Sequence, residues 1–175
     1  IEDPLHQAKI KELKKELRRQ QLKYFDSGLM PEEMRNRMIR EKNTTVYAFV
    51  RDPELYPLAK YLDYADLALA RETENLKTLT QGLKAKDPVM RYWSVVGLLL
   101  LEKGAKSAIP ALKNALDDRD EIPPLAAWAI YKAGDKAFAE KWMLDAITND
   151  PGNKMLANVL DWMDKGSFSI LAKIP

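Results

Sequence analysis

The chain holds 175 residues, 46% of them hydrophobic and 31% charged, with 28 basic against 26 acidic side chains and a formal net charge of +2. That length supports one domain of ordinary size, or one domain with an appended arm. A chain this long buries roughly 70% of its unfolded surface, so its core needs no disulfide or metal staple. The near balance of charge argues against a general nucleic-acid or membrane-surface binder. With no cysteine and a single histidine, disulfides, thiolate zinc sites, cysteine nucleophiles and three-imidazole metal centres are excluded. The longest apolar run, Val95 to Leu101, stops at Glu102. That is far short of the roughly 20 residues a membrane span needs. No signal peptide is recognisable and the chain starts at Ile1, so the expectation is a removed leader or a piece of a longer polypeptide.

In chain order, the first predicted helix runs from about Pro4 to Phe25, with Asp3 as its N-cap and Pro4 at its first position. Ile10, Leu13, Leu17 and Tyr24 make one apolar stripe at helical spacing. Around it lie Lys9, Lys11, Lys14, Lys15, Arg18, Arg19 and Lys23 against only Glu12 and Glu16. These cations spread around most of the helix, so they read as a solvated face and not as a track for a polyanion. Asp26-Ser27-Gly28 ends the helix as a turn. A short helix opens at Pro31-Glu32-Glu33 and carries Met34 and Met38. The stretch Thr44 to Val50 is the one β-favouring segment, isolated and without a hairpin partner. Pro57 then opens a helix with Leu58, Leu62, Ala65 and Leu69 on one face. The reading is an irregular arm over 1–55 and a regular helical body over 56–175.

The body repeats. Leu79, Leu83 and Asp87 recur 33 residues later as Leu112, Leu116 and Asp120. Each copy has a first helix (Leu76–Ala85, then Ile109–Leu116), an Asp-bearing turn, and a more apolar second helix (Pro88–Leu101, then Pro124–Lys132). A degenerate third copy follows at Phe138–Ile147 and Met155–Met163, with Met143 and Ile147 in the repeat positions. Helix pairs at this period predict an all-α fold, a short HEAT-like α-solenoid of helical hairpins with an N-terminal helical arm. The helix from Tyr56 to Ala70 would cap one end and residues 167–175 the other. Arg91 has Pro124 as its equivalent, which breaks the Arg/Asp ladder usual between such repeats.

Chemistry-bearing motifs are scarce. No serine lies in Gly-x-Ser-x-Gly, the glycines are scattered singly, and His6 sits in the first turn of a basic helix. Asp117, Asp118, Asp120 and Glu121 crowd one turn without the EF-hand spacing or its central glycine. They read as capping acids on a solvated turn. Trp93, Trp128, Trp142 and Trp162 fall at core spacing, with room for one or two exposed rings that stack on a sugar or a neighbouring domain. The body from Leu76 to Lys165 carries 13 basic and 12 acidic residues, no footprint for DNA.

Two segments carry a resemblance. One is Asp26-Ser27-Gly28-Leu29-Met30-Pro31-Glu32, preceded by the Lys/Glu/Leu-rich helix from Asp3-Pro4. The other is the helix from Leu76 to Leu83 followed by Asp87-Pro88-Val89-Met90-Arg91-Tyr92-Trp93 and Gly97. In this order, from Asp3 to about Ile147, the chain resembles the C-terminal HEAT-like extension of bacterial sulfatases of the arylsulfatase and heparan N-sulfatase (N-sulphoglucosamine sulphohydrolase) type. The resemblance implies a parent that hydrolyses sulfate esters or sulfamates of sulfated glycans, using calcium and a formylglycine made within Cys/Ser-x-Pro-x-Arg. Neither that motif nor the family's metal-binding Asp-Asp is in this chain, so it implies no catalytic, cofactor-binding or metal residue here. It implies a non-catalytic accessory domain, periplasmic or secreted, whose partner is the catalytic domain of the same polypeptide. Leu13, Leu17, Tyr24, Gly28, Leu29, Met30 and Pro31 are the candidate interdomain contacts. The alternative is an independent HEAT-like scaffold that binds proteins and has no enzyme attached.

Overall fold

A computed structural model of the chain describes residues 4–164. Its regular structure is ten α-helices and three short 3₁₀ turns, with no strand among the described residues. The chain is all-α, as its helical period predicts. Two compact units divide it, Ile1–Asp63 and Tyr64–Pro175. Their boundary falls inside a helix, a little beyond the change of regularity that the sequence places at 55/56.

Unit one contains α1 (Pro4–Tyr24), α2 (Glu32–Glu41), α3 (Val46–Phe49) and the first half of α4 (Leu58–Leu69). The expected cap Asp3 lies outside the described residues. Leaving α1, the chain turns through Phe25 at φ 55° into Asp26. Asp26 Oδ1 accepts from the Gly28 N–H at 2.8 Å and its Oδ2 from Gln21 Nε2 at 3.0 Å. Its carbonyl accepts from the Tyr56 hydroxyl at 2.7 Å. This Asx turn delivers Leu29 and Met30 into a core with Met34, Phe49, Tyr56 and Tyr61. The rings pack at tilted and edge-on angles, with centroids 5.8 Å apart for Phe49–Tyr56 and 5.3 Å for Tyr56–Tyr61. Burial, and then the charge of Asp26, push the Tyr56 hydroxyl up to about 12, so it remains a neutral donor across the physiological range.

The β-favouring stretch from Thr44 to Val50 is a short helix. Thr45 is its N-cap, its hydroxyl accepting from the Ala48 N–H at 3.2 Å, and Phe49 and Val50 go into the core. β-branched propensity is a weak local preference. A capping hydroxyl and a buried aromatic ring outweigh it here.

Unit two contains the rest of α4, then α5 (Leu76–Gly82), α6 (Pro88–Leu100), α7 (Ile109–Asn114), α8 (Ile122–Ala133), α9 (Lys136–Asn149) and α10 (Lys154–Asp164). They form three consecutive helix pairs, and the second helices touch in series, α6 against α8 and α8 against α10. The repeat positions Leu79, Leu112 and Met143 are buried in all three copies. Asp87 caps α6, accepting from the Val89 N–H at 2.9 Å, with Pro88 at the first position. Its sequence equivalent Asp120 does something else: it takes φ 59°, and α8 starts at Ile122, two residues before the expected Pro124. The end of α4 covers one side of this layer through the Tyr64 hydroxyl, 2.9 Å from Ser94 Oγ, and through Asn75 Nδ2, which donates to the Leu67 carbonyl at 3.1 Å. The expected cap over residues 167–175 lies outside the described residues.

Gly97 lets α6 approach α4 and α5. A Cβ there would stand 2.7 Å from Leu79 Cδ2 and 3.2 Å from the Ala68 Cα. Gly97→Ala should therefore cost about 1–3 kcal/mol in urea denaturation. Gly104→Ala, whose Cβ would first meet Thr73 Cγ2 at 3.4 Å, should be far milder.

Candidate functional surface

Helix α1 has two faces of different character. One is held by unit one: Arg18 Nη2 donates to Asp63 Oδ1 at 2.6 Å and to the Ala59 carbonyl at 3.2 Å. On the same side Leu22 and Phe25 line an apolar groove of about 400 Å³ with Val50, Pro53 and Pro57. Nearby the Arg51 guanidinium stacks on two rings, 3.6 Å from the centroid of Tyr47 and 4.5 Å from that of Phe25. At 100° per residue the other face gathers Ile10, Leu13, Leu17 and Tyr24 within about 60°. There Leu13 is 56% exposed, Leu17 59% and Tyr24 66%.

The expected contact residues thus separate. Leu13, Leu17 and Tyr24 share one solvent-facing stripe. Gly28 is exposed in the Asp26 turn and Pro31 is half-buried just ahead of α2. Leu29 and Met30, 6% and 5% exposed, are occupied by unit one's own core. Three of the cations around the stripe are paired, Lys9 with Glu12, Arg19 with Glu16 and Arg18 with Asp63. What remains is an apolar stripe bordered by a mixed-charge surface. The groove and the Arg51 stack have no signature in the sequence, because the residues that build them come from α1, α3 and the loop before α4.

In unit two the acidic turn is organised by one arginine. Arg91 Nε and Nη2 meet the two carboxylate oxygens of Asp118 at 2.6 and 3.0 Å. Its Nη1 donates to the carbonyls of Ala85 and Lys86 at 2.9 and 3.1 Å. A single guanidinium therefore fastens the turn of the first helix pair to the turn of the second. The Arg91–Asp118 pair thus joins consecutive turns, although Pro124 offers no guanidinium of its own. Burial pushes the Asp118 carboxyl up, but the hydrogen bonds from Arg91 and the Arg119 N–H outweigh it and hold it below the ordinary carboxylate range. No three His, Asp or Glu side chains among the described residues gather in a metal-holding group.

No known protein family matches the chain. No characterised protein and no solved structure matches it significantly either.

Because the folded pKa of Asp118 is depressed, the stability it contributes is present above pH about 4 and is lost as pH falls through the folded value. Arg91→Ala should cost about 1.5–3 kcal/mol at pH 7. The gap between it and the parent chain should narrow in urea titrations taken toward pH 3.

Proposed function

We propose that this chain is a non-catalytic accessory domain that packs through α1 on the catalytic domain of a larger, sulfatase-like polypeptide. The observation that carries the docking role is the stripe of Leu13, Leu17 and Tyr24, each more than half exposed although α1 is anchored by its opposite side. Covering such side chains is worth roughly 1.5–3 kcal/mol each before the costs of association. The mixed charges that border the stripe make the rim expected of a protein interface. The identity of the parent is supported by the residues that resemble the sulfatase extension, above all the segment from Asp26 to Glu32. Structurally that segment is a core-building turn, so its residue types are explained by the fold of unit one. In this reading the formylglycine, the calcium and the recognition of sulfated glycans belong to the catalytic domain. The periplasmic or secreted location follows that parent.

Intact mass of the native polypeptide, with peptide mapping upstream of Ile1, tests the reading directly. The expected product is several times the 20.0 kDa of this chain and carries a Cys/Ser-x-Pro-x-Arg peptide. A native product near 20 kDa would overturn it in favour of an independent helical scaffold. The docking face has its own test. Leu13→Ser with Leu17→Ser should shift folding stability by no more than about 0.5 kcal/mol. The same pair should abolish co-elution with the separately expressed upstream domain.

A further inference from the structure

Helices α4, α6 and α8 end around one cleft of unit two. Arg71 follows α4, Leu99 to Glu102 close α6, and Trp128 and Lys132 belong to the end of α8. The cleft measures about 530 Å³, a size at which pockets hold small ligands.

Arg71 and Glu102 occupy the position just past their helices and both take left-handed backbone, φ 58° and 47°. Glycine usually fills that position. Glu102 has an evident task, since its Oε1 accepts from Lys132 Nζ at 2.8 Å. Arg71 has none: it is exposed and makes no hydrogen bond or ion pair with any described residue. Trp128 lies against Trp162, ring centroids 5.2 Å apart, and its Nε1–H is buried without an acceptor.

The chemistry of the lining limits what fits. A bare inorganic anion would be opposed by Glu102. A neutral ring would leave Arg71 without a partner. A ligand with hydroxyl donors, one anionic group and a flat apolar face answers every part of the lining. We propose that this cleft binds a sugar acid, a pyranose bearing one carboxylate or sulfate, free or at a chain end. Arg71 and Lys132 take the anionic group, Glu102 takes hydroxyls, and the Trp128 indole carries the ring. The site does not rest on docking through α1.

The test is titration of the 175-residue chain with glucuronate, glucose 6-sulfate, glucose and inorganic sulfate. The readout is the Trp128 indole N–H resonance, assigned with Trp128→Phe, alongside calorimetry. Both sugar acids should bind, and glucose and inorganic sulfate should each bind at least about tenfold more weakly, the worth of one charge-assisted hydrogen bond. Methyl glucuronide binding as well as glucuronate would point to a chain end, and its exclusion to the free acid, the site standing in either case. Arg71→Gly separates site from scaffold. It should weaken the sugar acids about tenfold while raising the melting temperature by about 2–4 °C, because glycine accepts the left-handed backbone. Glucose or sulfate binding as tightly as the sugar acids would overturn the proposal. So would an absence of sugar-acid binding, or unchanged affinity in Arg71→Gly.

Discussion

Everything in unit two depends on how closely other helices can approach α8. Ala126, Ala127, Ala129 and Ala133 are almost wholly buried, and α6, α7, α9 and α10 all pack on this one helix. Alanine serves twice here. It is the strongest helix former, and its short side chain lets neighbouring backbones close up without voids. The larger apolar residues Ile122, Leu125 and Ile130 fill the remaining gaps. Prolines 123 and 124 fall in the first turn, where a missing N–H breaks no intrahelical bond, and Gly134 at φ 121° ends the helix. A bulkier residue on any of these faces would push out a whole helix.

The helical pairs were legible because burial follows a 3.6-residue period: Leu79, Leu112 and Met143 read as core and are core. The stretch from Thr44 to Val50 misled because six of its seven residues favour strands, whereas the deciding contacts of Phe49 and Val50 are tertiary. Asp87 and Asp120 look equivalent at 33-residue spacing. Only Asp87 is an N-cap, since α8 begins one residue later than the repeat requires and places Glu121 at that position. The Arg91 rung was half legible. Its arginine was visible, but its partner lies two residues before the position that the repeat marks, and side-chain reach is not written in spacing. The cleft at the helix ends was not legible at all. Its residues come from three helix termini, and nothing about an arginine or a glutamate announces left-handed backbone.

The turn at Asp26 explains how unit one can offer α1 outward. Asp26 gathers the Gly28 N–H, the Gln21 amide and the Tyr56 hydroxyl, which fixes the exit of α1 over the aromatic core. Arg18 secures the helix farther up, on Asp63 and the Ala59 carbonyl. Arg18 lies about 100–140° around α1 from Leu13, Leu17 and Tyr24, so the helix is held while that stripe stays in solvent. The apolar residues that the core needs, Leu29 and Met30, are supplied by the turn.

The three helix ends of unit two also compare with one another. Past α8 the left-handed residue is Gly134, and a Cβ there would meet nothing within 4 Å. Backbone conformation alone accounts for that glycine. Past α4 and α6, Arg71 and Glu102 take left-handed backbone at φ 58° and 47°, at about 1–2 kcal/mol for each side chain forced into that region. The ion pair with Lys132, joining the 3₁₀ turn after α6 to α8, offsets the cost at Glu102. No hydrogen bond or ion pair with a described residue offsets it at Arg71. Arg71 thus holds its guanidinium in solvent at the rim of the cleft, its backbone cost not offset by any polar contact with a described residue.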